Sequence, residues 1–280
     1  MVFVPRVTRS QLAGISGLTA DLSIPEPLLV DRFEVTHADL AHYRMRTELP
    51  WEREGDRTVS SEHWPAPVTF REAEQLAERR GMRVLVPREW IHLAVGPRGH
   101  DYPWGPNFQA SVANTLDLGL GRPAEVGTFE RGKSQPYGCY DLLGNVWEWV
   151  DGVVPGFEDS KEDRAMQSFR GRRSSAMGGS FLSAPRETMS LGPAPTYHAM
   201  TLDVDHLASD LGVRLGVEAR DWLLARAPEW GKDDRTRERL RAVGESWGRD
   251  ALDFLQRLGA EPGAPAVLVE LLEGARRAAP

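Results

Sequence analysis

The chain has 280 residues, 41% hydrophobic and 27% charged, the balance of an ordinary folded protein able to bury one large core and a small appendage. A formal charge of −7 denies it the basic footprint that nucleic acid or an anionic membrane requires, and the short Arg170-Gly171-Arg172-Arg173 run reads as a solvated loop. The single cysteine, Cys139, excludes an intrachain disulfide and a structural cysteine zinc site. No apolar run at the N-terminus suits a signal peptide and none later suits a membrane span, so the expected compartment is the cytoplasm.

Phe3-Val4-Pro5 reads as a first short strand, followed by a glycine-bearing loop over 10–20. Residues 28–36 alternate with β-branched side chains and lead into a helix start, Thr36 with Asp39 three positions on. The helix from His37 to about Thr47 is expected to bury Leu40 and Tyr43. Residues 48–66 read as an exposed loop rich in charge, Pro and Trp. Thr69 and Glu72 then form a capping box for a helix whose buried stripe is Phe70, Ala73, Leu76 and Ala77, ended by Gly81. A strand over 82–86 runs into a helix with Pro87 at its first position and Trp90 in the core. Tyr102-Pro103-Trp104-Gly105 reads as an aromatic turn.

The stretch from Tyr137 to Trp149 gathers aromatic bulk, turn glycines and two carboxylates. Alternation over 146–150 places Trp147 and Trp149 on one dry face of a strand and Glu148 on the other. Gly144-Asn145 supplies a tight turn before it, and Asp141 and Glu148 have the oxygen chemistry of a hard-cation site, or of an Asx-turn and a turn cap with no metal. Strands are expected over 176–181 and 210–215. Beyond Leu215 the composition shifts to Arg, Leu, Ala and Trp, and helices are expected over 221–227, 233–258 and 265–277, with Gly244, Gly248 and Gly259 as candidate breaks.

The Gly144-Asn145-Val146-Trp147-Glu148-Trp149 run resembles the Gly-Asn-(Val/Ala)-Trp-Glu-Trp signature of the formylglycine-generating enzyme family, also called the sulfatase-modifying factor domain. Supporting matches are Asp31-Arg32-Phe33-Glu34-Val35-Thr36, Pro87 with Glu89 and Trp90, Tyr102-Pro103-Trp104-Gly105, Gly178-Gly179-Ser180 and Gly212-Val213-Arg214. The resemblance implies an α+β, C-type lectin-like fold over residues 1–216, with 217–280 as a helical C-terminal extension that either caps its own domain or meets a partner. It also implies a structural calcium site made by the side chains of Asp141 and Glu148 and the carbonyls of Gly144 and Val146. A first calcium site falls on Asn114, where the completing loop is short and Asp117 is the nearby carboxylate.

Formylglycine-generating enzymes oxidise a substrate cysteine with two copper(I)-binding thiols, and the matching positions here are Ser183 and Thr188. A hydroxyl is a hard ligand that cannot replace a thiolate on copper(I), so this chain is expected to use no copper. His198, Asp203, Asp205 and His206 are the donor types of a facial iron site, as used by the family's oxidising cousins, although surface loops also place His and acids together. Two functions follow. In the first, the chain is a non-catalytic recognition or scaffold module binding a protein partner through the 183–210 loops, with Ser183, Arg186, Thr188, Tyr197 and His198 as the contact residues, and through the helical tail. In the second, it is a cysteine-independent oxidoreductase with replaced, iron-based chemistry.

Overall fold

The computed structural model describes residues 1–8, 22–43, 45, 61–109, 111–154, 172–184 and 199–278. Eight strands run in chain order: β1 (Val2–Val4), β2 (Leu28–Val30), β3 (Arg83–Val84), β4 (Trp147–Val150), β5 (Arg173–Met177), β6 (Ala199–Asp203), β7 (Leu211–Val213) and β8 (Leu215–Glu218). Six α-helices accompany them: α1 (His37–His42), α2 (Phe70–Arg80), α3 (Pro87–Val95), α4 (Ala219–Arg226), α5 (Asp234–Gly259) and α6 (Leu268–Ala278). Two compact units result. One comprises Arg9–Ser23 and Asp31–Gly216, the other Met1–Thr8, Ile24–Val30 and Val217–Pro280.

In the larger unit a four-stranded sheet has the order β6-β5-β4-β7. β5 pairs antiparallel with β4 and β6, while β4 and β7 are parallel, with Glu148 opposite Gly212. The interior position of β4 explains a departure from the alternation pattern. Trp149 is fully buried, but so is Glu148, whereas Trp147 is only half-buried. A strand flanked on both edges and covered on both faces has no wet side, so period-two patterning loses its meaning there.

The capping boxes at Thr36 and Thr69 form as the spacing predicts, each hydroxyl accepting from the backbone three residues on. α2 buries Phe70, Ala73, Leu76 and Ala77, and Gly81 closes it at φ 63° in the left-handed region. Phe70 meets Trp149 edge-on at 5.7 Å, and the Trp149 indole donates to the Val68 carbonyl at 2.9 Å. α1 ends at His42, shorter than expected, with Tyr43 as its half-buried C-cap.

The smaller unit places the helical tail. The sequence boundary at 216/217 is where the chain passes between units, but the tail shares its core with the N-terminal segment. β1 and β2 pair antiparallel, and Phe3 and Leu29 join Leu223, Trp247, Leu255, Leu258, Leu268 and Leu271 in one buried cluster. The Phe3 ring lies 5.9 Å from Trp247 and 5.2 Å from Phe254. Of the candidate helix breaks, only Gly248 leaves helical geometry, at φ 65° and ψ −158°. Gly244 is instead a point of close approach: a Cβ there would sit 2.0 Å from the Leu271 carbonyl oxygen, and one at Gly274 would sit 1.9 Å from that of Arg241. Backbone contact at both glycines locks α5 against α6.

α3 also buries an ionisable group. His92 Nε2 lies 2.6 Å from the Tyr137 hydroxyl with no solvent access. Burial pushes its pKa from 6.5 down to about 4, against a smaller upward pull from the Leu22 backbone. Between these two values the unfolded chain binds the extra proton, so the stability His92 contributes is present above pH 6.5 and lost as pH falls to about 4. In urea unfolding, the stability of the wild type relative to His92→Gln is expected to rise by up to about 3 kcal/mol across that window, a difference in which the opposing slope of the buried carboxylates cancels. An unchanged slope in the variant would assign it to another group.

Candidate functional site

The signature turn is built around Asn145. It adopts φ 60°, a left-handed conformation that asparagine tolerates better than most residues, and it has no solvent exposure. Its backbone N–H donates to the Asn114 carbonyl at 2.7 Å and its carbonyl accepts from Phe181 at 2.9 Å. Its side-chain oxygen accepts from Asn114 Nδ2 and the Ala124 N–H, and its Nδ2 donates to Glu34 Oε2 at 2.8 Å. One residue thus ties together four segments distant in sequence. Gly144 beside it has φ 84°, and a Cβ there would sit 2.3 Å from the Asn114 carbonyl oxygen. Only glycine fits both the angle and the space.

Below the turn, β4 carries Glu148 into a buried ion pair with Arg214. Oε1 accepts from Arg214 Nη2 at 2.6 Å, and Oε2 accepts from Arg214 Nε at 3.1 Å and from Trp90 Nε1 at 2.7 Å. The guanidinium further donates to the carbonyls of Asp31 and Tyr140. Burial opposes its charge, and Glu148 leads the neighbours that more than offset this and raise its pKa. Glu34 and Asp141 complete a cluster of three buried carboxylates around one cation. Burial first, then the charges of Asp141 and Glu148, raises Glu34 well above the usual carboxylate range, and burial pushes Asp141 up to about 6. The sequence reading missed Arg214 as the partner of Glu148. A lone arginine between Val213 and Leu215 on an apolar strand was the available signal.

Of the four residues assigned to calcium, Asp141 and Glu148 are both buried in this cluster. Asp141 Oδ2 accepts from the Gly127 N–H at 3.3 Å, while its buried Oδ1 has no hydrogen-bond partner among the described residues. That orphan oxygen fits a cation. Glu148 fits one less well, since its oxygens already take three N–H donors. At the weaker site Asn114 is buried with an unpartnered Oδ1, but Asp117 is exposed on the 3-10 turn Leu116–Leu118. Among the described residues no three His, Cys, Asp or Glu side chains group as a metal cluster.

Ser183 Oγ accepts from the Ser180 N–H at 2.9 Å and closes the turn after Gly178-Gly179. The Ser180 hydroxyl donates to Asp210 Oδ2 at 2.7 Å. Arg186, Thr188, Tyr197 and His198 lie outside the described residues. Of the iron candidates, Asp205 is paired with Arg71 at 2.5 Å and Asp203 caps its own turn by accepting from the Asp205 N–H. Cys139 is fully buried, and burial pushes its thiol up to about 11.

The buried pair yields a stability test. Arg214→Met is expected to cost about 3–5 kcal/mol in urea unfolding, because Glu148 is left charged without its counter-ion, whereas adding Glu148→Leu should recover much of that loss. A single-variant cost below about 1 kcal/mol would show that the pair does not hold the sheet to its turn.

Residues 17–219 match the sulfatase-modifying factor enzyme 1-like domain. The chain is 31% identical over 121 residues to hercynine oxygenase of Mycolicibacterium smegmatis, covering 38% of this chain and 28% of that protein. It is 33% identical over 94 residues to inactive C-alpha-formylglycine-generating enzyme 2 of Bos taurus, covering 30% and 31% respectively. The chain thus spans about a third of the length of the curated relatives it matches. Among solved structures, Treponema denticola variable protein 1 superposes with a TM-score of 0.54 at 17% identity, over 78% of this chain and 94% of that one, a likeness of fold. The glycine turn, the Trp-Glu-Trp strand and the matched span together make this chain a member of the sulfatase-modifying factor enzyme 1-like family, built on the formylglycine-generating-enzyme type of C-type lectin-like fold with added C-terminal helices.

Proposed function

We propose that this chain is a non-catalytic member of its family, a recognition or scaffold module that meets a protein partner or ligand through its 183–210 loops and helical tail. The observation that carries the reading is Ser183. Where a copper-binding thiol would stand, a hydroxyl is already spent on holding the Ser180 backbone, and the chain's sole thiol is buried and far from ionising at neutral pH. The match to an inactive formylglycine-generating enzyme 2 supports the same direction. With one cysteine and no dependence on disulfides, the chain suits a reducing compartment, which we take to be the cytoplasm. No helix among the described residues is long and apolar enough to cross a membrane.

A structural calcium ion belongs to this proposal. Asp141, through its orphan Oδ1, and the carbonyls of Gly144 and Val146 would hold it, and Glu148 would add charge. Bound there, the ion would neutralise buried carboxylates and supply no reaction chemistry.

The second reading, a cysteine-independent oxidoreductase with iron-based chemistry, is favoured by the match to hercynine oxygenase. Purified protein supplied with copper(I), oxygen and a cysteine-containing peptide is expected to form no aldehyde, scored by oxime capture and mass spectrometry, and to carry no stoichiometric iron or copper. Aldehyde formation would overturn the non-catalytic reading, and bound iron would shift it to the oxidoreductase. In thermal unfolding, calcium is expected to raise the midpoint over chelator in the wild type and not in Asp141→Asn; identical wild-type curves would remove the ion.

A further inference from the structure

Away from Ser183, a cleft of about 430 Å³ lies between Ser61 and Trp64 on one side and the 120–128 loop on the other. It holds one cation and one anion that pair neither with each other nor with any other charged group among the described residues. The Arg122 guanidinium lies over the Trp64 ring, 5.3 Å from its centroid, and Glu125 Oε1 accepts from the Ser61 hydroxyl at 2.6 Å. Neutral neighbours thus fix the two opposite charges in place.

The loop that bears them is itself pinned. Asn114 Nδ2 donates to the Arg122 carbonyl at 3.0 Å, the Ala124 N–H donates to Asn145 Oδ1 at 2.9 Å, and the Val126 N–H donates to the His63 carbonyl at 3.0 Å. A site whose charges are positioned before the ligand arrives spends little binding energy on ordering. Exposed Leu120 and the neighbouring Pro123 give the cleft an apolar wall.

The charge pattern selects the ligand class. A dianion would meet Glu125, a simple cation would meet Arg122, and a neutral molecule would leave both unsatisfied. We propose that this cleft binds a small zwitterion with an apolar side chain, a free amino acid or a dipeptide, with its carboxylate on Arg122, its ammonium on Glu125 and its apolar part against Leu120 and Pro123. The guanidinium fork suits a carboxylate, and the free Glu125 oxygen suits an ammonium. This site does not depend on whether the Ser183 face is catalytic.

Isothermal titration of the full chain with leucine and with leucyl-leucine tests the proposal, using N-acetylleucine and leucinamide as ligands that each lack one charge. At least one zwitterion is expected to bind with a Kd of about 1 mM or tighter, and the blocked forms about tenfold more weakly or worse. Which zwitterion binds distinguishes the free amino acid from the dipeptide. Arg122→Gln and Glu125→Gln, both at exposed side chains, should each weaken binding about tenfold with unchanged melting temperature. No binding by either zwitterion up to about 10 mM, equal binding of the blocked forms, or wild-type affinity in both variants would overturn it.

Discussion

The larger unit depends on a charge that cannot leave it. Arg214 enters from β7's end with no solvent exposure, and Glu148 on the neighbouring parallel strand takes it in a two-point grip that Trp90 completes. Remaining donors reach the carbonyls of Asp31 and Tyr140, so the guanidinium joins β4 to the loop segments at Asp31 and Tyr140. Taking both ions out of water costs several kcal/mol each, and matching both carboxylate oxygens and nearly every guanidinium N–H is what offsets that cost. A fold organised this way is specific in register, since a one-residue slip of β4 would bring an indole, not a carboxylate, to the cation.

Asn145 extends the same logic to the surface. Its side chain satisfies a buried carboxylate on one side and the Asn114 side-chain amide and the Ala124 N–H on the other, so the loops above the sheet are fixed by the same residue that sets the turn below. In this chain the loop after Gly178-Gly179 carries a serine whose hydroxyl has become part of the turn. The family framework persists, and at Ser183 it holds a structural oxygen.

The smaller unit follows a different rule. Its two long helices touch backbone to backbone at Gly244 and Gly274, and this close approach lets Trp247, Leu255 and Leu258 bury against Leu268 and Leu271 in a core that also takes in Phe3 and Leu29. The sequence reading left open whether the tail would cap its own chain or wait for a partner. Apolar periodicity shows that a helix has a face to bury but not which segment will cover it.

Much of this protein is legible in its sequence. Capping boxes at Thr36 and Thr69, the left-handed end at Gly81, Pro87 at a helix start and the glycine-asparagine turn depend on interactions within a few residues, and local spacing is enough to specify them. The family signature gave the fold for the same reason: its motif residues are the turn and strand that everything else packs around. What tertiary structure alone decided was long-range pairing. Glu148 alternated as if toward water and was buried by Arg214, 66 residues away in sequence. Asn145 reached Glu34 across 111 residues, and Arg122 was set over Trp64. Electrostatic partners are chosen by proximity in space, and a single sequence encodes that proximity only through the completed fold.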